Sequence, residues 1–238
     1  MNRKPFIDVC FTPTLFSLFD VSESIVVVID VLRATSSMCI AFEYGANQIV
    51  PVKTVEESLA YKQKGFLIGA ERHGEMVDGF DIGNSPFSYM ESKIKGANIA
   101  LTTTNGTQAI NVASVAHKVV IGSFLNLSAL CDYLINENRD VVCLCSGWKN
   151  SFNLEDTLLA GAIAKKLENN FNLSDHRDST IAAKLLCENA QNNFYVFLND
   201  SSHRKRLADL HIDEDVKFCL EADKTKCVPY LSGNALIV

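Results

Sequence analysis

The chain has 238 residues, of which 47% are hydrophobic and 21% are charged, as is ordinary for a folded globular protein. Its 28 acidic and 22 basic residues give a formal net charge of −6, which argues against the broad basic surface of nucleic-acid-binding proteins. It has no run of 18 apolar residues and no signal-peptide pattern at its start, so we expect a cytoplasmic protein that does not enter a membrane.

Apolar segments and helical segments alternate from residue 6 to residue 169. Strands are predicted at residues 6–11, 25–29, 48–52, 66–69, 98–103, 118–121 and 141–145, several of them rich in β-branched residues. Helices are predicted at residues 36–44, 55–64, 107–115, 127–136 and 154–169, each after a Ser, Thr or Asn that can cap it. This order predicts a three-layer α/β/α fold with a mostly parallel sheet, and it leaves a mixed sheet open.

The pattern changes to helical stretches after residue 174. Helices are predicted at residues 179–191, 202–210 and 213–222, followed by a polar tail that ends in residues 235–238. Residues 192–200 are left open between a short strand and a loop. We therefore expect one α/β/α domain over residues 1–238, with a motif-bearing core at about 25–170 and a helical covering region at about 174–238.

The chain contains eight cysteines. Several lie inside apolar segments of a chain long enough to fold without disulfides, so reduced and buried thiols are predicted. Cys143 and Cys145 alternate along a predicted strand and therefore point to opposite faces of the sheet. This geometry argues against a zinc site that uses both thiols.

The first candidate motif, residues 26–37, runs from an apolar strand into a helix. Asp30 ends the strand, Arg33 follows, and Thr35 is one of three hydroxyl residues at the helix start. In open α/β sheets ligands bind beyond the carboxyl ends of strands. A carboxylate there can hold a metal ion, and an arginine beside a helix N-terminus can bind an anion. Helix capping by Asp30 and a surface ion pair for Arg33 explain the spacing equally well.

The second motif is a long connection at residues 69–86. It carries Glu71, Arg72, His73, Asp81, Asn84 and Ser85. Connections in such folds usually have about 2 to 6 residues, so a longer one is more often functional. His73 is a candidate general acid, although a histidine in a loop is more often simply solvated.

The third motif is Thr104-Asn105-Gly106-Thr107, again between a strand and a helix. A flexible Asn-Gly flanked by hydroxyls can form a concave set of backbone donors around a phosphate or sulfonate. An ordinary turn capped by Thr107 is the alternative.

The fourth motif, residues 145–156, ends in Glu155 and Asp156 at a predicted helix start. Acidic residues are stabilised there by the helix dipole whether or not they have a function. Taken together, however, the four motifs gather carboxylates and arginines at strand ends. Such an oxygen-rich environment suits Mg²⁺ and not soft metals.

The runs VVVIDVLRATSS, ERHGEMVDGFDIGNSP, LTTTNGT and CSGWKNSFNLEDTLLAG resemble the 2-phosphosulfolactate phosphatase family over about residues 25–161. The resemblance implies an α/β/α fold, dependence on Mg²⁺ and hydrolysis of 2-phospho-3-sulfolactate to 3-sulfolactate and phosphate. It also implies a role in coenzyme M biosynthesis. The expected partner is a small anionic phosphate ester, and a homodimer is left open.

Because acids and arginines cluster in these motifs, we hypothesise roles for individual residues. The catalytic candidates are Asp30, Arg33, Glu71 and Asp156, and the metal candidates are Asp30, Glu71, Asp81 and Asp156. The substrate-binding candidates are Arg33, Thr35, Arg72, Asn84, Ser85, Thr104, Asn105, Gly106 and Thr107.

Two questions stay open at the level of sequence. The attacking group is either a metal-bound water or Asp30 itself. Leu32 stands where haloacid-dehalogenase-type phosphatases carry a second acid, which argues against that family. A non-catalytic protein that binds a small anion or a nucleotide is the alternative function, although no G-x-G-x-x-G follows the first strand.

Overall fold

A computed structural model describes residues 3–173, 177–191, 193–210 and 212–238 of the chain. Its strands are β1 (Ile7–Cys10), β2 (Ile25–Ile29), β3 (Gln48–Pro51), β4 (Leu67–Arg72), β5 (Glu75–Met76), β6 (Asn98–Thr102), β7 (Lys118–Gly122), β8 (Val141–Cys145), β9 (Tyr230–Ser232) and β10 (Ala235–Ile237). Its α-helices are α1 (Ala34–Glu43), α2 (Val55–Lys62), α3 (Gly106–Ala113), α4 (Leu127–Glu137), α5 (Leu154–Leu167), α6 (Asp178–Asn189), α7 (Phe194–Phe197), α8 (Ser202–Asp209) and α9 (Asp213–Cys219).

The strands of the described residues form one mixed sheet in the order β1-β8-β2-β7-β9-β10-β3-β6-β4-β5. Strands β1, β8, β2 and β7 are parallel to their neighbours in one group, and β3, β6 and β4 form a second parallel group. The hairpin β9–β10 lies between the groups and is antiparallel to both β7 and β3. The predicted three-layer fold with a mostly parallel sheet is therefore confirmed.

Strand β2 shows why the sheet is covered on both sides. All five of its residues are apolar, β-branched and fully buried, as expected for a central strand. Val27 belongs to a core with residues of α4, α5 and α6, whereas Val28 belongs to a core with residues of α1 and α3. Because successive side chains of a strand point to opposite faces, one apolar run anchors both layers of helices.

The two parallel groups run in opposite directions, because three antiparallel pairings separate them. Segments that follow strands of both groups nevertheless meet. The Arg33 side chain after β2 donates to the backbone oxygen of Gly74 after β4 at 2.5 Å. The four motifs were expected to meet at strand ends, and here the meeting point lies between segments of two opposed groups.

The structure extends the sequence prediction in several places. Strands β9 and β10 were not predicted, because each has only three residues and too short a pattern to recognise. The undecided segment contains helix α7 and a 3-10 turn at Leu198–Asp200, while residue 192 lies outside the described residues. Strand β4 continues to Arg72 instead of ending at Gly69. Because Glu71 and Arg72 both lie in this longer strand, their side chains point to opposite faces of the sheet.

All eight cysteines are free thiols, and seven of them are buried, as predicted. No helix in the described part of the chain combines the length and the apolar character needed to cross a bilayer.

Candidate active site

The candidate site is a cleft of about 110 Å³ where the segments after β2, β4, β6 and β8 meet helix α8. Its lining residues are Asp30, Leu32, Arg33, Glu71, His73, Gly74, Asn84, Asn105, Trp148, His203, Arg206, Leu207 and Leu210. The predicted site residues in this set are Asp30, Arg33, Glu71, Asn84 and Asn105, together with the candidate acid His73. The cleft thus unites residues of all four sequence motifs.

Asp30 follows directly after β2 and is only 7% exposed. The backbone nitrogen of Ala34, the first residue of α1, lies 3.4 Å from Asp30 Oδ1. The hydroxyl of Thr35 donates to the backbone oxygen of Asp30 at 2.9 Å, so Thr35 holds the turn itself. Burial raises the pKa of Asp30 to about 6, while His203 opposes the shift and Glu71 adds to it. Asp30 is therefore costly to ionise in the folded protein.

Glu71 is the second carboxylate of the cleft, and it is 6% exposed near the end of β4. Its Oε1 atom accepts from the backbone nitrogen of Gly74 at 2.6 Å, and Oε2 lies 3.3 Å from the backbone nitrogen of Thr104. His73 stands in the turn between β4 and β5, with a left-handed φ of 58°. The carboxylate of Glu71 thus joins the β4–β5 turn to the segment after β6.

Arg72 does not share the cleft with its neighbour Glu71. Its guanidinium donates to the backbone oxygen of Glu71 at 2.7 Å and to the hydroxyl of Thr102 at 3.1 Å. It lines a separate cavity of about 510 Å³ together with Lys53 and Gln108. Because both residues belong to a strand, their side chains point to opposite faces.

Arg33 is 4% exposed and is held by two partners. It forms an ion pair with Asp215 of α9 and donates to the backbone oxygen of Gly74. The other carboxylate oxygen of Asp215 accepts from the hydroxyl of Ser85 at 3.0 Å. Ser85, predicted to bind substrate, thus supports the acid that orients Arg33.

Asp156, at the start of α5, is completely buried and does not line the cleft. Its oxygens accept from Val31 N at 2.9 Å, Ser146 Oγ at 3.1 Å, Gly147 N at 3.2 Å and Asn153 Nδ2 at 2.8 Å. Four donors use the acceptor capacity of the carboxylate. Asp156 therefore fixes the segments after β2 and β8 to one another.

Asp81 lies outside the cleft lining. Its Oδ2 atom accepts from the backbone nitrogen of Ile68 at 3.0 Å, and Oδ1 lies 3.6 Å from Lys62 Nζ. Ile68 is near the start of β4, whereas Glu71 is near its end. The structure therefore does not bring Asp81 together with the two cleft carboxylates.

The start of α3 packs tightly against Asp30. A Cβ atom on Gly106 would lie 2.7 Å from the Cβ of Ala34 and 2.8 Å from Oδ2 of Asp30. Only glycine fits this position without displacing its neighbours. The predicted Asn-Gly turn is thus needed for the close approach of two helix starts.

The threonines of the third motif make internal contacts. The hydroxyl of Thr104 lies 3.3 Å from Glu71 Oε2. Thr107 donates from its hydroxyl to the backbone oxygen of Thr103 at 3.1 Å, and from its backbone nitrogen to the hydroxyl of Thr103 at 3.2 Å. Both residues therefore shape the turn after β6.

Asn84 and Asn105 both line the cleft. Oδ1 of Asn84 is buried and has no hydrogen-bond partner within the part of the chain that the structure describes. Oδ1 of Asn105 lies 3.4 Å from the backbone nitrogen of Lys149. These two predicted substrate-binding residues therefore retain unused hydrogen-bonding capacity at the cleft wall.

Helix α8 supplies cleft residues that the sequence analysis did not identify. His203 Nδ1 lies 2.6 Å from Oε1 of Glu155, a residue of α5 with no exposed surface. The ring of His203 packs 5.5 Å from that of Trp148, measured between centroids. Since Nδ1 is engaged, Nε2 is the ring nitrogen left for the cleft.

Arg206 also comes from α8 and packs on Trp148. Its guanidinium carbon lies 4.4 Å from the centroid of the indole ring. Nε and Nη2 of Arg206 are buried and lack a hydrogen-bond partner among the described residues. The spacing of His203, Arg206, Leu207 and Leu210 is that of one helical face, a signal that was present in the sequence.

Comparison with known proteins decides the family. The sequence model of a family described as 2-phosphosulpholactate phosphatase matches residues 10–234. The chain belongs to this family. The resemblance seen in the four motifs is confirmed, and the 2-phosphosulpholactate phosphatase match also covers α8, α9 and β9.

Similar proteins carry a related name. A protein of Thermotoga petrophila named "Probable 2-phosphosulfolactate phosphatase" is 44% identical over 212 residues, which cover 89% of this chain and 91% of that protein. Proteins with the same name from Caldanaerobacter subterraneus subsp. tengcongensis and Clostridium perfringens strain 13 are 39% and 36% identical. The alignments cover 90% of this chain in both cases, with 90% and 88% of the respective relatives.

A metal ion in the cleft of this 2-phosphosulpholactate phosphatase family member would have few protein ligands. No three His, Cys, Asp or Glu side chains in the described ranges are grouped as a complete set of metal ligands. Mg²⁺ does not require such a set, because it keeps several waters and uses one or two carboxylates together with substrate phosphate. Asp30 and Glu71 offer that kind of oxygen ligand on the walls of one cleft.

Proposed function

We propose that this protein is a Mg²⁺-dependent phosphatase that hydrolyses 2-phosphosulfolactate, or a similar 2-phospho-carboxylic acid, to the 2-hydroxy acid and phosphate. The main support for this proposal is that two buried carboxylates, Asp30 and Glu71, line a small cleft together with Arg33 and Arg206. Family membership and the names of the relatives support the substrate class. A role in coenzyme M biosynthesis and a cytoplasmic location stay predictions from the sequence.

Asp30 and Glu71 are the residues that would hold Mg²⁺. When bound, the ion would neutralise charge on the phosphoryl oxygens and align the ester. We leave Asp156 out of this set because its oxygens already accept four hydrogen bonds. Asp81 is left out because it is bound to Ile68 and Lys62 away from the cleft.

Arg33 would bind the phosphoryl group. Asp215 and the carbonyl of Gly74 hold its guanidinium in one orientation, which leaves other N–H groups for an anion. Charge-assisted hydrogen bonds from a fixed donor stabilise the developing negative charge of the transition state without a rearrangement. The ion pair with Asp215 therefore supports positioning of the phosphoryl group.

His203 would protonate the leaving oxygen. Glu155 accepts from Nδ1 and orients the ring, so that in the doubly protonated imidazolium the Nε2–H group is the donor left for the cleft. An alkoxide is a poor leaving group, and a positioned acid removes this obstacle by donating a proton in the transition state. His203 takes over the general-acid role that the sequence analysis considered for His73.

Two nucleophiles fit this arrangement, water and Asp30. Acid quench during turnover of a ³²P-labelled ester separates them. A labelled phosphoprotein that is absent from the Asp30→Asn variant indicates attack by Asp30. Turnover without label indicates attack by water.

The proposed function is tested by phosphate release from a panel of 2-phospho acids, with Mg²⁺ and after treatment with EDTA. We expect turnover of sulfonated or carboxylated members only with the metal, and background rates for Asp30→Asn. Turnover that survives EDTA contradicts the metal requirement. Binding of the panel without any phosphate release would instead support the non-catalytic anion-binding protein that the sequence left open.

A further inference from the structure

Arg206 differs from the other arginines near the cleft in its partners. The guanidinium of Arg33 is engaged by Asp215 and by the carbonyl of Gly74. Arg204, on the same helix as Arg206, donates to the backbone oxygen of Tyr195. Arg206, in contrast, has two buried nitrogens without a hydrogen-bond partner in the described ranges of the chain.

The two unpartnered atoms of Arg206, Nε and Nη2, form one edge of the guanidinium plane. Two parallel N–H groups on such an edge match the two oxygens of a carboxylate or sulfonate. Buried donors are normally satisfied, so an unsatisfied pair in a cleft indicates a missing ligand. The pair therefore has the geometry to bind an oxyanion.

Trp148 fixes the orientation of this edge. The guanidinium carbon lies 4.4 Å from the indole centroid, a stacking distance that restrains the plane of the side chain. The nearby carboxylate of Glu155 is bonded to His203 and to the hydroxyl of Ser201. Arg206 is thus held in one orientation, and its Nε and Nη2 atoms have no hydrogen-bond partner among the described residues.

We infer that Arg206, stacked on Trp148, binds a second acidic group of the substrate, a carboxylate or sulfonate separate from the phosphoryl group. The inference rests on the proposed function and deepens it. Arg33 and the two cleft carboxylates act at the phosphoryl end, and Arg206 selects esters that carry a further oxyanion. Simple monophosphates lack that anion and leave Arg206 unsatisfied.

The test compares wild type with Arg206→Ala and Arg206→Gln on four esters. These are 2-phospho-3-sulfolactate, 2-phospholactate, 2-sulfoethyl phosphate and ethyl phosphate. Both variants are expected to lower kcat/KM by about 10- to 100-fold for esters with a second acid. For ethyl phosphate the change is expected to stay within about threefold, because no contact is lost. The two singly acidic esters show whether the carboxylate or the sulfonate is bound.

Lys205→Ala is the matched control, since Lys205 lies on the same helix but is exposed and pairs with Asp200. It should leave all four rates unchanged. Melting temperatures of the variants separate a binding defect from misfolding. A loss of equal size for ethyl phosphate and for the acidic esters overturns the inference.

A binding measurement separates this inference from the proposed function. Calorimetry with 3-sulfolactate, which carries both acids but no phosphoryl group, should show binding to wild type and to Asp30→Asn. Binding should be lost in Arg206→Ala. If wild type hydrolyses none of the esters, the proposed phosphatase activity is refuted. Loss of 3-sulfolactate binding in Arg206→Ala would still support the role of Arg206 in binding the second acidic group. Unchanged binding in Arg206→Ala would overturn that role.

Discussion

His203 Nδ1 and Glu155 Oε1 lie 2.6 Å apart and join α8 to α5 at the wall of the cleft. Glu155 has no exposed surface and His203 is 7% exposed. A carboxylate in this position fixes the ring orientation, so that Nδ1 faces Glu155 and Nε2 is left toward the cleft.

The first prediction concerns this pair. Glu155→Gln keeps the size of the side chain but removes the acceptor charge, so we expect kcat to fall about 100-fold, the usual worth of a positioned acid. KM should change little, because neither residue is assigned to substrate binding. Glu168→Gln, at the exposed end of α5, is the control. Steady-state kinetics at saturating Mg²⁺ would contradict the role of His203 if kcat were unchanged.

The second prediction concerns Asp30. Its folded pKa of about 6 exceeds its usual 3.8, so the folded protein binds the proton more tightly and loses stability as pH rises between these values. Asp30→Asn should therefore raise the free energy of unfolding at pH 7 by about 1–3 kcal/mol without metal. Near pH 4 the difference should vanish. Urea titrations in EDTA at both pH values measure it, and equal stabilisation at pH 4 would refute the ionisation argument.

The third prediction concerns Asp215. Asp215→Ala leaves the buried guanidinium of Arg33 without its counter-charge, which should cost about 3–5 kcal/mol of unfolding free energy. Ser85→Ala removes only a hydroxyl donor to Asp215 and should cost about 0.5–1.5 kcal/mol. Chemical denaturation of both variants provides the comparison. A loss of equal size in the two would mean that the ion pair is not what stabilises this region.

The fourth prediction concerns Gly106. An added methyl group meets Ala34 and Asp30 at less than van der Waals distance, so Gly106→Ala should lower stability by about 1–3 kcal/mol. It should also lower kcat, because Asp30 must shift. Gln108→Ala, an exposed position of the same helix, should stay within about 0.5 kcal/mol of wild type. Thermal unfolding and phosphate release would both have to be normal to contradict this prediction.

The sequence was most informative at strand ends. Strands β2 and β8 have the predicted bounds, because long β-branched apolar runs have few alternatives to a buried strand. Asp30 and Glu71 line one cleft because the segments that leave β2 and β4 meet there. Asp30 directly follows β2 and Glu71 lies near the end of β4, and this position at a strand end was enough to select both.

The remainder of the site depends on tertiary packing, which the sequence pattern does not specify by itself. Arg72 was grouped with Glu71 because strand β4 was ended too early, and alternation along the longer strand separates the two. The carboxylate of Asp156 has no free acceptor position because it accepts from the segments after β2 and β8, and its spacing in the sequence does not reveal those donors. His203 and Arg206 lie in a stretch of charged residues that is typical of a solvated helix, and only the packing of α8 brings them to the cleft.

The β9–β10 hairpin has a consequence for how the protein is made. Val120 of β7 pairs with Tyr230, and Ile49 of β3 pairs with Leu236. The sheet that joins the two parallel groups can therefore form only after β9 and β10, which come much later in the chain, have been made. Until then β7 and β3 each present an open edge, which is a template for pairing with other chains. Contacts between such distant segments also form slowly. A nascent chain that has not yet been synthesised through Ile237 is therefore exposed to aggregation along two edges at once.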